Sequence, residues 1–160
     1  MIETPPWLEH AHKFIGLREI KGPQHAPEIL QMWKDIKRGG IKDDETPWCA
    51  AFVGAMLERS GITSTRFEGA LSYLKWGADV GQPRYGAVAV GKRTGGGHVG
   101  FVVGITANGD PILLGGNQND SVSIAAYPKA NVVGYRYPKG WPVDMRPLAV
   151  GTAQVAKSFA

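Results

Sequence analysis

The hydrophobic pattern divides the chain near residue 80 into a helical part and a strand part. Before that point, apolar residues recur at helical spacing in three segments, PPWLEHAHKFIGLREIKG, APEILQMWKDIKRGG and PWCAAFVGAMLERSG. Each segment has a proline at or near its start and a glycine at its end, which are typical helix boundaries. A shorter apolar stretch, ALSYLKWG, predicts a fourth turn or helix.

From Tyr85 onward the pattern changes to five short runs rich in valine and isoleucine: YGAVAV, HVGFVVGIT, PILLGG, SVSIAA and NVVGYRY. The Asn108-Gly109 pair between the second and third runs is a strong hairpin signal. Helices followed by such a meander predict an α+β domain, with N-terminal helices packed on a C-terminal antiparallel sheet of about five strands. We expect residues 1–140 to form one domain and residues 141–160 to be a docked or flexible tail.

Composition narrows the class of protein only moderately. A chain of 160 residues suits one domain, and the net charge of +4 with a pI near 9.3 is compatible with anionic partners. One cysteine excludes an intramolecular disulfide and a multi-cysteine zinc site. The polar, proline-broken start does not resemble a signal peptide, and no apolar run approaches 18 residues. We therefore expect synthesis in the cytoplasm and no stable membrane insertion.

The single cysteine, Cys49, lies at the start of the third helical segment. Thr46 is a good N-cap and Pro47 suits the first helical position, which places Cys49 third. The helix N-terminus favours an anion, so this position is expected to lower the thiol pKa from about 8.5. Phe52 and Val53 extend an apolar stripe on the same face, so the cysteine is expected to point toward the domain. It is either a nucleophile or a buried packing residue.

A nucleophilic cysteine needs a base, and His98 is the best of the four histidines. It begins the run HVGFVVG directly after three glycines, and it shares a strand face with Gly100. A face that carries glycines could accept a closely packed cysteine-bearing helix. His10, His12 and His25 are expected to be surface or capping residues.

The stretch GGNQND offers polar groups that could orient the histidine. A two-residue turn at the Asn-Gly pair would place His98 opposite Asn119, with Asn117 on the same face and Gln118 pointing away. A three-residue loop or a bulge would reverse that parity. A simple polar turn is the alternative interpretation of this stretch.

Taken together, TPWCAAFV, YGAVAV, HVGFVVG and GGNQ resemble the papain-like NlpC-type and CHAP cell-wall hydrolases. The resemblance covers roughly residues 7 to 138. DETPWCAAFV, preceded by GLREIKG and followed by GGNQ, is similar to the small single-domain members encoded by phages and prophages. The resemblance implies a papain-like fold and hydrolysis of an amide bond in peptidoglycan, without a metal or an organic cofactor.

The resemblance also implies roles for individual residues. Cys49 would be the nucleophile and His98 the general base, which later protonates the leaving amine. Asn117 would orient His98, with Gln118 or Asn119 as alternatives. The Cys49 amide is expected to help to hold the oxyanion of the tetrahedral intermediate.

Four residues are expected to contact substrate. Asp44 and Glu45 could bind the free amine of a stem peptide, although such acids are more often solvated. Trp48 could line the cleft or pack beneath it, and packing is favoured. Gln118 is also placed among the substrate contacts.

The expected activity is that of a stem-peptide endopeptidase or an N-acetylmuramoyl-L-alanine amidase. The expected setting is a monomeric phage lysin that acts on the cell wall, in the periplasm, after release, with peptidoglycan as its partner and no nucleic acid. Two other interpretations remain: a non-catalytic cell-wall-binding module, and an acyl transferase or antibacterial effector on the same fold. The order of the motifs favours the hydrolase.

Overall fold

The structure of the protein is a computed structural model that describes residues 4–20, 24–42, 47–93 and 96–155. Three α-helices precede the sheet: α1 (Pro6–His12), α2 (Pro27–Asp35) and α3 (Cys49–Glu58). A 3₁₀ helix, Ala70–Lys75, follows them where the sequence predicts a fourth turn or helix. The helical half of the chain therefore lies where the hydrophobic pattern places it.

The second half forms one antiparallel sheet of six strands within the described residues. These strands are β1 (Ala78–Asp79), β2 (Val88–Arg93), β3 (Gly96–Ile105), β4 (Pro111–Gln118), β5 (Ser121–Ala126) and β6 (Val132–Tyr137). Their spatial order is β1-β6-β2-β3-β4-β5. The predicted α+β architecture is confirmed and is compatible with a papain-like fold. The five predicted runs are β2 to β6, whereas β1 has two residues and is too short to show a period.

α1 is shorter than its hydrophobic pattern predicts, because the chain after it leaves the helix to pair with β5. The Gly16 N–H donates to the carbonyl of Val122 at 2.9 Å, and the Val122 N–H donates to the carbonyl of Leu17 at 2.8 Å. Gly16 has a φ of +98°, which a glycine adopts without strain. Backbone pairing with the sheet edge thus outweighs the local helical pattern in this segment.

α3 is the central element of the core, and it is buried over every residue except its last. α2 packs on one side of it, where a Cβ on Gly54 would lie 2.5 Å from Cγ2 of Ile36. On the other side Phe52 contacts Phe101 of β3 edge to face, with ring centroids 6.3 Å apart. A helix that is apolar on all sides is typical of a protein interior. Its first residue, Cys49, is thereby held against the sheet.

The described part of the predicted tail lies along the sheet. The Ile105 N–H donates to the carbonyl of Ala149 at 3.1 Å, and the Ala126 N–H donates to the carbonyl of Gln154, also at 3.1 Å. Residues 149–154 therefore dock on the ends of β3 and β5, while the boundary at residue 140 stays a prediction. Within the described ranges, no helix combines the length and apolarity that a membrane crossing requires.

Candidate active site

Cys49 is the first residue of α3, and Trp48 occupies the N-cap position. The prediction that Pro47 begins the helix is wrong, and the predicted cap, Thr46, lies outside the described residues. Trp48 has a non-helical φ of −117° and ψ of 16°, and its indole N–H donates to Glu19 Oε1 at 3.3 Å. Tertiary packing of this ring delays the helix by two residues and leaves the thiol at its very start.

The Cys49 thiol has a raised pKa, contrary to the expectation from its helix position. Burial is the largest influence and raises the pKa from its ordinary value of 9.0. The backbone N–H groups of Val99, Ala50 and Cys49 itself and the positive charge of Arg93 act in the opposite direction, and they do not compensate. The thiol is therefore neutral near pH 7 in the free protein.

The same contacts place the sulfur beside the strand that carries the predicted base. Val99, whose N–H hydrogen-bonds to the thiol, directly follows His98 in β3. The His98 side chain is 1% exposed, and its ring stacks on Tyr127 with centroids 5.6 Å apart and planes 13° apart. Burial is the largest influence on the Tyr127 phenol and raises its pKa; the charge of Arg93 acts in the opposite direction, and the nearby Cys49 adds to the rise. The structure therefore brings Cys49, His98 and Tyr127 into one cluster.

Gln118 holds the other side of the imidazole. Its Oε1 lies 2.9 Å from His98 Nε2, and its amide Nε2 donates to the carbonyls of Leu113 at 3.2 Å and Ser123 at 2.8 Å. Both N–H donors of this amide group are used in hydrogen bonds to carbonyls. Its oxygen must therefore accept a hydrogen bond from His98, so His98 Nε2 must carry the proton. The lone pair of the neutral ring then sits on Nδ1, which makes Nδ1 the basic nitrogen.

The register of β3 and β4 differs from the predicted two-residue turn. Thr106 pairs with Asp110 across a three-residue loop, with its N–H 2.9 Å from the Asp110 carbonyl oxygen. A bulge between Val102 and Gly104 shifts the pairing once more. The predicted placement of His98 opposite Asn119 is therefore wrong. The structure instead turns the chain at Asn119 and its neighbour, where β4 meets β5.

A left-handed residue in β4 explains why Gln118 faces the histidine, although alternation predicts that it points away. Asn117 has a φ of +60°, which interrupts the alternation of side chains along the strand. The Gln118 side chain then folds back over two glycines. A Cβ on Gly115 would lie 2.5 Å from its Oε1, and one on Gly100 would lie 3.5 Å away.

The glycine-bearing face of β3 thus accepts the Gln118 side chain and not the cysteine helix. α3 packs on the opposite face, where Phe52 contacts Phe101 and a Cβ on Gly116 of β4 would lie 2.7 Å from the Phe52 Cβ. The predicted packing of the helix on the His98 and Gly100 face is therefore wrong. Gly100 did indicate a close approach, but the side chain that approaches it is Gln118 from the neighbouring strand.

Of the four residues predicted to contact substrate, two lie outside the described residues and two are buried. Asp44 and Glu45 lie outside the described residues. Trp48 and Gln118 are both fully buried, so neither presents a surface to substrate, and both support the site from beneath. Asn117 is 1% exposed, and its role as an orienter stays a prediction.

The sequence interpretation missed Tyr127. Its hydroxyl donates to the carbonyl of Lys92 at 2.8 Å, and its ring covers Gly91, where a Cβ would lie 2.3 Å from the nearest ring carbon. Gly91 pairs with His98 across β2 and β3. A glycine inside a strand is a signal of close approach, so Gly91 could have indicated a side chain packed beside the histidine.

A cysteine at a helix start, next to a strand that carries a histidine with an amide partner, on an antiparallel sheet, is compatible with a papain-like fold. Residues 41–117 match the sequence model of the CHAP domain, a span that includes Cys49, His98 and Asn117. The resemblance of this part of the chain to CHAP and NlpC-type proteins is confirmed. CHAP domains are generally hydrolases that act on peptidoglycan. Comparison with curated proteins and with solved structures gives no match.

Proposed function

We propose that this protein is a cysteine-dependent hydrolase that cleaves an amide bond in the peptide part of peptidoglycan. Its CHAP domain supports the substrate class. The observation that carries the reaction type is the position of the Cys49 thiol, which hydrogen-bonds to the amide of the residue after His98. A thiol, a neutral imidazole and helix-start N–H groups are the components of acyl transfer through a thioester.

In this proposal the thiol loses its proton during the attack, since its raised pKa keeps it neutral beforehand. His98 Nδ1 takes that proton as the Cys49 sulfur bonds to the substrate carbonyl carbon. The N–H of Cys49 at the start of α3 stabilises the negative charge on the carbonyl oxygen. The C–N bond then breaks, the amine leaves with the proton from His98, and a thioester remains. Water deprotonated by His98 hydrolyses the thioester and restores the thiol.

Gln118 and Tyr127 act as positioning residues in this mechanism. Gln118 fixes the tautomer through its contact with His98 Nε2, and Tyr127 fixes the ring plane by stacking. The hydrogen bond from Tyr127 to the carbonyl of Lys92 in turn holds the phenol in place. Both residues stabilise the imidazole in one orientation, which a base needs if it is to meet the thiol.

We further propose that the protein is a monomeric phage lysin, which reaches the cell wall after release and acts in the periplasm. The similarity of DETPWCAAFV and its flanking segments to phage-encoded proteins supports this setting. The net charge of +4 favours approach to an anionic envelope. The wall itself supplies the substrate, so no nucleic-acid partner is part of the proposal.

The proposal is tested by incubating wild-type protein and Cys49→Ala with purified peptidoglycan sacculi. Wild type is expected to clear the suspension, and Cys49→Ala is expected to leave it turbid while it remains folded by circular dichroism. Mass spectrometry of the soluble products identifies the bond. Shortened stem peptides indicate an endopeptidase, and intact stem peptides freed from the lactyl group indicate an amidase. Clearing by Cys49→Ala at the wild-type rate, or binding without any cleavage by wild type, contradicts the proposal.

A further inference from the structure

A groove of about 450 Å³ lies at the opposite end of α3 from Cys49. Residues 61–63, which follow α3, form one part of its wall. Residues 75–77, which are the last residue of the 3₁₀ helix and the two that follow it, form another. Lys139 and Trp141, from the segment after β6, complete it. None of these residues belongs to the hydrolytic mechanism proposed above.

The groove presents two tryptophans that are held in place by their neighbours. Trp76 donates its indole N–H to the carbonyl of Thr63 at 2.8 Å, and its ring contacts Tyr73 with centroids 5.5 Å apart. Trp141 packs edge to face on Trp7, with centroids 5.1 Å and planes 87° apart, yet it is 39% exposed. A fixed and partly exposed indole loses little conformational entropy when a ligand packs on it.

The charge of the groove is positive. Among its described lining residues, the charged side chains are Lys75 and Lys139, and both are exposed. An ammonium group on a flexible stem binds a carboxylate as a point charge and tolerates variation in the position of that carboxylate. Paired lysines beside indole rings therefore suit a ligand that carries both carboxylates and apolar faces.

The groove is too far from Cys49 for one small ligand to occupy both places. α3 has ten residues, which corresponds to about 15 Å between its ends. β6 gives a similar separation, because Val132 pairs near His98 at one end and Tyr137 pairs with Ala78 beside the groove at the other. A polymer can reach both the groove and the thiol.

We infer that this groove is a binding site for the glycan strand of peptidoglycan, separate from the cleavage site. Sugar rings expose C–H faces that pack on the indole rings of Trp76 and Trp141. The stem peptides along the strand carry carboxylates, which pair with Lys75 and Lys139. The identity of the polymer rests on the proposed function, whereas the chemistry of the groove is independent of the hydrolytic step. Binding there would hold the enzyme on an insoluble wall while the thiol acts about 15 Å away.

The experiment measures binding without cleavage, in protein carrying Cys49→Ala. This protein is sedimented with purified sacculi, and the bound fraction is measured against sacculus concentration. Adding Trp141→Ala is expected to weaken binding about tenfold, which is typical of a tryptophan at the centre of an interface. Adding Lys75→Ala with Lys139→Ala is expected to weaken it by a similar factor and to reduce its salt dependence.

Matched controls separate the groove from general surface effects. Lys13→Ala with Lys34→Ala removes two exposed lysines elsewhere, and Met145→Ala removes an apolar side chain that is 64% exposed. Both control variants are expected to bind sacculi within twofold of the parent. Because Trp141 packs on Trp7, circular dichroism and thermal unfolding accompany its variant. Both lysines are exposed, so the lysine pair tests the groove even if that variant unfolds.

Soluble probes identify which part of the polymer is bound. An N-acetylglucosamine tetramer is expected to quench tryptophan fluorescence in the parent and to quench it less in the Trp141→Ala protein. If sacculus binding is unchanged by the groove variants, or is displaced by DNA and not by the tetramer, the inference is overturned. Failure of the proposed hydrolysis would appear separately, as an absence of cleavage by wild-type protein that still binds through the groove.

Discussion

The two ends of α3 shift the pKa of an ionisable side chain in opposite directions. At its N-terminal end, the Cys49 thiol and His98 are almost completely buried, and burial raises the thiol pKa. At its C-terminal end, burial also acts to raise the pKa of Glu58, but hydrogen bonds from Arg66 and Ser64 outweigh it and lower that pKa below the ordinary 4.5. Near neutral pH the Cys49 thiol at one end is therefore neutral, whereas the Glu58 carboxyl at the other end is charged.

This difference teaches what each end contributes. The polar contacts around His98 are mainly hydrogen bonds between neutral groups in a closely packed interior, where geometry is fixed and water is excluded. The Glu58–Arg66 pair, with N–O distances of 3.0 and 3.1 Å, is partly exposed and screened by salt, so it contributes modestly to stability. Substitutions at the N-terminal end of α3 should alter activity. Substitutions at its C-terminal end should alter stability and the dependence of stability on pH.

The largest effect is expected for His98→Ala. Removal of the base should reduce the rate of sacculus clearing at least about 1,000-fold, because the neutral thiol then has no group to take its proton. Turbidity measurements check the rate, and circular dichroism checks the fold. A rate within tenfold of wild type would show that His98 is not the base.

The raised pKa of Cys49 predicts slow alkylation at neutral pH. Below its pKa, the reactive thiolate fraction grows about tenfold per pH unit, so the iodoacetamide rate should rise about a hundredfold between pH 7 and pH 9. The protein has one cysteine, so the label reports on Cys49 alone, and Cys49→Ala is the blank. A rate that is already fast and flat from pH 6 upward would indicate a preformed thiolate, contrary to the structure.

Gln118→Ala and Asn117→Gly together identify the residue that orients the imidazole. Loss of the Gln118 amide should free the His98 tautomer and reduce kcat about 10- to 100-fold, with a changed pH profile. Glycine tolerates the φ of +60° at position 117, so Asn117→Gly removes that side chain without backbone strain. We expect it to reduce kcat less than Gln118→Ala does. A larger reduction in kcat for Asn117→Gly than for Gln118→Ala would show that Asn117 orients the imidazole.

Two changes at Tyr127 separate the stacked ring from its hydroxyl group. Tyr127→Phe keeps the stack on His98 and loses the bond to Lys92, so it should cost about 1 kcal/mol of stability and leave kcat within threefold. Tyr127→Ala removes the ring and should reduce kcat about tenfold and stability by about 3 kcal/mol. Urea unfolding and clearing rates measure both. Equal kcat values for the two variants would show that stacking does not position the imidazole.

The smallest effect is expected for Glu58→Gln, at the C-terminal end of α3. Because the pKa of Glu58 is lowered in the folded state, its contribution to stability is present above the unfolded value near 4.5 and is lost as the pH falls through the folded value. Glu58→Gln should therefore lower stability by about 1 kcal/mol at pH 7, and the difference should shrink toward pH 3. Clearing of sacculi should be unaffected. A pH-independent difference would mean that the effect is steric and not electrostatic.

The periodic pattern predicted the order and type of the elements well, because burial of one face imposes a period on a helix and on a strand alike. It predicted less well where tertiary contacts compete with local preference. α1 ends at His12 because the following backbone pairs with β5, and α3 begins at Cys49 because Trp48 is held by packing. Such competition depends on residues distant in sequence, which a local pattern does not contain.

The sequence also indicated the central pair of the site. Cys49 at a helix start and His98 after a run of glycines were chosen from local chemistry, and the structure places the thiol beside the amide that follows His98. The glycine signal at Gly91 was available and was not used to find Tyr127. The partner of the histidine could not be predicted, since the left-handed Asn117 reverses the direction in which the next side chain, Gln118, points.

By itself, the sequence determined an α+β domain, its five longer strands, a lone cysteine at a helix start and a histidine on a neighbouring strand. These follow from periodicity and from the local preferences of proline, glycine and asparagine. Only the tertiary structure decided that Gln118 holds the imidazole, that Tyr127 stacks on it, and that the thiol is neutral. The physical reason is that side-chain direction, register and desolvation depend on which distant segments pack together.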